Sequence, residues 1–165
     1  MDVVVYAALC PEGEERRWAY RLLALAAERE WGLPRLPVIA RMAGGKPWFP
    51  DFPAFHFNLS HSRGAAVCAL HDGPVGVDVE RLRPAPRRLA AGLDDERFFR
   101  RWTALEATVK RQGRGAGALL RMQEPDGLCQ CLEGLLPGWI VTVCPQKSAP
   151  VRVVRIGAEG QAALL

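Results

Sequence analysis

No apolar run in this chain approaches the roughly 20 residues that a helix needs to cross a bilayer. The longest, Val3–Cys10 and Leu22–Ala27, stop far short. Asp2 stands where a secretion signal carries positive charge, and no small-residue cleavage pattern follows, so a cytoplasmic setting is expected. Repeats and low-complexity tracts are absent. With 49% hydrophobic and 24% charged residues, the composition excludes a disordered chain. Cysteine is present in a form that excludes a disulfide framework. Cys10, Cys68, Cys129, Cys131 and Cys144 are odd in number, and Cys129-x-Cys131 lacks the spacing of a zinc knuckle. They read as buried reduced thiols. Lysine is scarce too: three of the 22 cations are lysine and nineteen are arginine.

What is there is one domain's worth of chain, 165 residues, long enough to bury a core without metal or disulfide. The net charge of +4 is concentrated. From Arg81 to Arg121, ten arginines and Lys110 face Asp94, Asp95, Glu96 and Glu106, which leaves +7. Such a segment suits phosphate, nucleic acid or an acidic protein, and equally a set of solvated helix faces. Val3–Leu9 reads as a strand, and Glu14–Trp31 as a helix with an apolar stripe through Trp18, Leu22, Leu25 and Ala26. Val38–Met42, Phe55–Leu59, Ala65–Leu70 and Val75–Glu80 read as strands, Pro84–Gly92 as a short helix or link, and Asp94–Gln112 as the second long helix. Strands near Gly127–Leu132, Trp139–Cys144 and Val151–Ile156 follow. The order predicts an α+β protein of two similar α/β halves, 1–72 and 73–165.

Three segments carry candidate chemistry. In Val75-Gly76-Val77-Asp78-Val79-Glu80, strand alternation puts the valines on one face and Gly76, Asp78 and Glu80 on the other. Paired carboxylates suit a hard divalent cation such as Mg²⁺, which keeps positions open for phosphate oxygens. A solvated sheet face gives the same pattern. Trp102, Glu106 and Lys110 lie at i, i+4 and i+8 on the second helix. Glu106 and Lys110 fit a surface ion pair, or a third carboxylate and a cation if the helix lies over the strand. In Asn58-Leu59-Ser60-His61-Ser62, a hydroxyl, an imidazole and backbone N–H groups after a strand can hold an anion, or be no more than a capping serine and a surface histidine.

Taken in order, N-L-S-H-S, G-V-D-V-E and W-T-x-x-E-A-x-x-K-x-x-G-x-G, together with Gly45-Lys46-Pro47 upstream, resemble the 4′-phosphopantetheinyl transferase superfamily. The likeness is to the surfactin-synthetase-activating (long, pseudo-dimeric) type, shortened, and it is best over Ala19–Gly115. The resemblance implies two halves packed about a pseudo-twofold axis, with one active site between them in a monomer. It also implies transfer of phosphopantetheine from coenzyme A to a serine of an acidic acyl or peptidyl carrier protein, releasing adenosine 3′,5′-bisphosphate. By resemblance, Asp78, Glu80 and Glu106 would hold Mg²⁺. Glu106 would take the serine proton, and Lys110 would steady the diphosphate. Ser60, His61 and Arg21 would contact the 3′-phosphate, and Lys46 would border the adenine. No nucleic-acid or membrane partner is implied.

Two features depart from the family pattern. Leu105 stands where a lysine usually precedes the catalytic glutamate, and the stretch from Glu80 to Trp102 is short. These motivate an alternative, a member that binds coenzyme A or a carrier without efficient transfer. A small basic nucleic-acid-binding domain is a third reading of the charge.

Overall fold

A computed structural model describes residues 1–157 and 162–164. Its elements run β1 (Val3–Leu9), α1 (Glu15–Trp31), β2 (Ala40–Arg41), β3 (Pro47–Trp48), β4 (His56–Ser62), β5 (Ala65–His71), β6 (Val75–Arg81), α2 (Arg87–Ala90) and α3 (Asp95–Arg111). A 3-10 turn (Ala116–Arg121), β7 (Gln130–Cys131), β8 (Trp139–Pro145), β9 (Val151–Ile156) and β10 (Ala162–Leu164) complete it. The chain is α+β. A five-stranded sheet has the order β10-β9-β1-β5-β4, a three-stranded sheet the order β6-β8-β7, and β2 and β3 form a small flap.

Alternation in the strands builds two cores. The even positions of β1 (Val4, Tyr6, Ala8) meet Leu22, Leu23 and Ala26 of α1, with Phe49 and Phe57 beside them. The odd positions (Val3, Val5, Ala7) meet Val75, Val77 and Val79 of β6 and Val141 and Val143 of β8. The five-stranded sheet thus carries α1 on one face and the three-stranded sheet on the other, and α3 covers β6 and β8. α1 ends where Gly32 enters the left-handed region at φ 67° and its N–H returns to Glu28 O. α3 starts where the Asp94 side chain accepts from Arg97 N–H.

Several elements differ from the sequence expectation. β4 continues through Ser62, the strands expected at Val38–Met42 and Gly127–Leu132 shrink to Ala40–Arg41 and Gln130–Cys131, and β3 and β10 were not foreseen. β9 pairs in parallel with β1, so the five-stranded sheet draws on chain from both sides of residue 72.

Candidate active site

β4 and β6 are facing edges of the two sheets, and a row of β4 side chains joins them. Asn58, Ser60 and Ser62 are spaced by two and so share a face. Val77 N–H donates to Asn58 Oδ1 at 2.8 Å and Val79 N–H to Ser60 Oγ at 3.3 Å, which satisfies amides that an edge strand would leave unpaired. Ser60 Oγ donates to Asp78 Oδ1 at 2.8 Å, and Ser62 Oγ to Glu80 Oε2 at 3.1 Å. The seam between the sheets is therefore polar, and both carboxylates of β6 are anchored along it.

α3 closes over this seam because β6 has no side chain at Gly76. A Cβ there would sit 1.9 Å from Ala107 O and 2.6 Å from Arg111 N. Buried hydroxyls fix the helix on β8: Thr103 and Thr142 share a hydrogen bond at 2.7 Å. With α3 seated so, Lys110 Nζ reaches Asp78 Oδ1 at 2.5 Å, Ser60 Oγ at 2.9 Å and Glu106 Oε2 at 3.5 Å.

The electrostatics follow from setting two carboxylates, Asp78 and Glu106, on one ammonium. Burial, then the charges of Asp78 and Glu80, push Glu106 up to about 7 against the relief that Lys110 offers. Burial alone would lower Lys110, but Asp78 and Glu106 outweigh it and hold the ammonium above its ordinary range. Glu80 is drawn aside by Arg83, whose guanidinium donates to it at 2.9 Å. Among the described residues no three His, Cys, Asp or Glu side chains are gathered tightly enough to hold a metal ion. Asp78 Oδ2, however, is buried with no hydrogen-bond partner, although Oδ1 of the same carboxylate has two. A buried carboxylate oxygen without a donor is costly unless a cation meets it, so the donor set fits a hard divalent ion at that atom.

The seam opens into a cavity of about 280 Å³ lined by Gly44, Lys46, Asn58, Leu59, Glu106 and Lys110, among others. Its wall depends on two glycine loops in contact: a Cβ on Gly44 would lie 1.8 Å from Gly113 O. An open hollow of about 850 Å³ adjoins it, lined by Arg114, Arg121 and the glycines around them. The two hollows share Gly44 and Arg114, so basic side chains flank the way in.

The structure separates other residues that the sequence grouped. Because β4 runs on past Ser60, successive side chains there point to opposite faces. Ser60 is buried on Asp78, whereas His61 is exposed. The structure thus sets the Ser60 and His61 side chains on opposite faces of β4. Arg21 is exposed on α1 with its guanidinium over the Trp18 ring, 5.5 Å from the centroid. Lys46 lines the cavity, but its ammonium is buried and donates to Val75 O at 2.9 Å and Arg111 O at 3.2 Å, tying the flap to β6 and α3. Burial, then Arg111, lowers it to about 8. Leu105 is turned from the cavity into an apolar groove with Phe98 and Trp102. Sequence reasoning missed Asn58, Ser62 and Arg83. Alternation carried three residues beyond Leu59 would have revealed the first two.

The α+β scaffold thus presents Glu106 and Lys110 to a cleft bordered by arginines, a chemistry suited to phosphate groups. Comparison with known proteins agrees. The chain is 30% identical over 159 residues to the 4′-phosphopantetheinyl transferase psf-1 of Bacillus pumilus, an alignment covering 76% of this chain and 68% of that protein. It is 33% identical over 87 residues to the 4′-phosphopantetheinyl transferase Sfp of Bacillus subtilis (strain 168), covering 43% and 39%. It is 39% identical over 127 residues to the 4′-phosphopantetheinyl transferase AcpT of Escherichia coli (strain K12), covering 64% and 63%. No family model matches the chain. The chain belongs to the 4′-phosphopantetheinyl transferase family, and it spans between 39% and 68% of the length of these relatives.

Proposed function

We propose that the chain transfers the 4′-phosphopantetheine group of coenzyme A to a serine hydroxyl of an apo carrier protein, releasing adenosine 3′,5′-bisphosphate. The observation that carries this is the unpartnered, buried Asp78 Oδ2 behind Lys110 and Glu106, which themselves line the cavity. Mg²⁺ at Asp78, drawing in the carboxylates of Glu80 and Glu106, would neutralise charge on the coenzyme A diphosphate.

The chain's own residues supply the rest. Glu106, lining the cavity beside Lys110, is placed to accept the serine proton. Lys110 stays charged because Asp78 and Glu106 favour its ammonium, so it can hold a phosphate oxygen while Glu106 changes charge. Ser60 and Asp78 fix the Lys110 head, which reduces the reorganisation needed when charge moves. Arg114 and Arg121 line the adjoining hollow where an anionic ligand or acidic carrier would approach. Asp126 and Pro145 O already engage Arg111, so it is not among the groups offered to substrate.

The two layers, α1 on its sheet and α3 on the other, support a reading as two related halves, 1–72 and 73–165, about a pseudo-twofold axis with one site between them in a monomer. A cytoplasmic setting suits a reaction that consumes coenzyme A, and no described helix is long and apolar enough to cross a membrane.

The test is the mass of an apo carrier protein incubated with coenzyme A, Mg²⁺ and the full chain. A gain of one phosphopantetheine is expected. Calorimetric binding of coenzyme A with no mass gain across a panel of carriers would replace transfer by binding alone.

A further inference from the structure

Behind the cleft, on the side of α3 that faces β8, two thiols meet. In the β7–β8 ladder Gln130 opposes Val143 and Cys131 opposes Thr142. Leu132 N–H donates to Val141 O, so the next opposed pair that exchanges backbone bonds is Gln130 with Val143. Continuing the register brings Cys129 opposite Cys144, at a position where the backbones exchange no bonds and the side chains are closest. Thr108 Oγ1 of α3 lies 3.3 Å from Cys129 Sγ and 3.7 Å from Cys144 Sγ, so both sulfurs crowd one hydroxyl. Arg111 NH1 is 3.7 Å from Cys144 Sγ. Cys144 is buried and Cys129 partly exposed.

We propose that Cys129 and Cys144 form a cross-strand dithiol, a modification site that a peroxide converts to an intramolecular disulfide. Cys129 is the entry point, being the thiol that solvent reaches. Its thiolate attacks one peroxide oxygen, the O–O bond breaks, and Cys129 becomes a sulfenic acid as hydroxide leaves and is protonated to water. The Cys144 sulfur then attacks the Cys129 sulfur, the S–O bond breaks, and the proton from Cys144 leaves with the hydroxyl as a second water. Two thiols and one hydrogen peroxide give one disulfide and two waters, with both electrons passing to peroxide oxygen.

Several features favour this outcome over a solitary adduct. Cys144 is shielded from bulky reagents yet beside its partner, so the second step is intramolecular. Arg111 and the Thr108 hydroxyl offer positive charge and a donor where a thiolate forms. Hydrogen bonding with Cys144 holds Cys129 below the ordinary thiol range, and the same contact with burial pushes Cys144 up, so Cys129 is the one to ionise. Opposed strand positions place Cβ atoms about 4.5–5.5 Å apart, against about 3.5–4.5 Å in a disulfide, so closure asks for a shift of about 1 Å or less. The other cysteines lack such a partner: Cys68 is fully buried, and Cys131 faces Thr142 across the ladder.

The full chain, reduced and then treated with hydrogen peroxide, is unfolded in denaturant with an alkylating reagent and digested. The expected result is an intact mass lower by two hydrogens, with Cys129 and Cys144 alone protected and one linked peptide pair that dithiothreitol separates. Cys129→Ser and Cys144→Ser each remove the link, and Cys131→Ser and Cys10→Ser leave it. Should Cys144→Ser fail to fold, the half-exposed Cys129→Ser and the wild-type peptide map decide alone. A link to any other cysteine, oxidation of Cys129 that stops at a sulfenic or sulfinic acid while Cys144 stays alkylatable, or no loss of thiols overturns the proposal.

Discussion

α1 and α3 are both 17-residue helices laid on a sheet, yet they are held by different physics. α1 buries only apolar side chains, Ala19, Leu22, Leu23, Ala26 and Ala27, and has no side-chain cap; its polar ties lie at its two ends, where Glu15 accepts from Gly64 N–H and Glu30 from Tyr6 and Arg152. α3 is capped by Asp94, buries Thr103 and Thr108, and passes over β6 at Gly76 with no room for a methyl group. Apolar packing tolerates small slides at modest cost, whereas directional hydrogen bonds and a backbone-to-backbone approach fix one register. The helix that carries Glu106 and Lys110 is the one with that stricter fixing. The same contrast separates the two cores, which contain no buried carboxylate, from the β4–β6 seam, which contains Asp78.

Substitutions that act on one helix and spare the other sharpen this contrast. The largest effect is expected from Gly76→Val, whose side chain would overlap α3 backbone. We expect a loss of about 3 kcal/mol or more in urea unfolding, and no transfer from whatever chain remains folded. Leu22→Ala, in the fully buried face of α1, should cost about 3 kcal/mol and leave the activity of the folded fraction unchanged. Equal loss of turnover per folded molecule in both variants would erase the distinction between the helices.

Glu106→Gln should work in opposite directions on stability and function. Folded Glu106 titrates above its ordinary 4.5, near 7, so the folded chain binds more protons than the unfolded one between those values. Its contribution to stability is present below about pH 4.5 and is lost as the pH rises through about 7. The variant should therefore gain about 2 kcal/mol over wild type in mildly alkaline buffer, converge with it in acid, and fail to transfer. Unfolding curves at the two extremes, with the mass assay beside them, check all three. The smallest effect is reserved for Asp94→Ala, which removes the cap peculiar to α3 and should cost about 1 kcal/mol by thermal unfolding.

The sequence made most of the secondary structure legible because periodicity survives without tertiary context. The β-branched run of β1, the apolar stripe of α1, and the acidic start of α3 each announced an element close to its observed bounds. Alternation also placed Asp78 and Glu80 on the face of β6 opposite its valines, as the structure has them. It did not extend β4 past Leu59, since Ser-His-Ser reads as a strand end until β5 is known to pair with it. That one boundary hid the polar row of Asn58, Ser60 and Ser62 and the alternation that turns Ser60 and His61 to opposite faces. Lys46 was legible as a cation near the cleft, but not as a buried tie to two carbonyl groups.

The residue types, their periodicity and their order along the chain determined the elements, the acidic face of β6 and the family resemblance, because these depend on neighbours a few positions away. Tertiary structure alone decided which groups meet across long stretches of chain. Asp78 and Lys110 are 32 residues apart, yet their charges touch at 2.5 Å. Only the docking of α3 onto Gly76 brings them there and leaves Asp78 Oδ2 without a partner. Charge, burial and titration all depend steeply on distance, and distances between remote residues are fixed by packing.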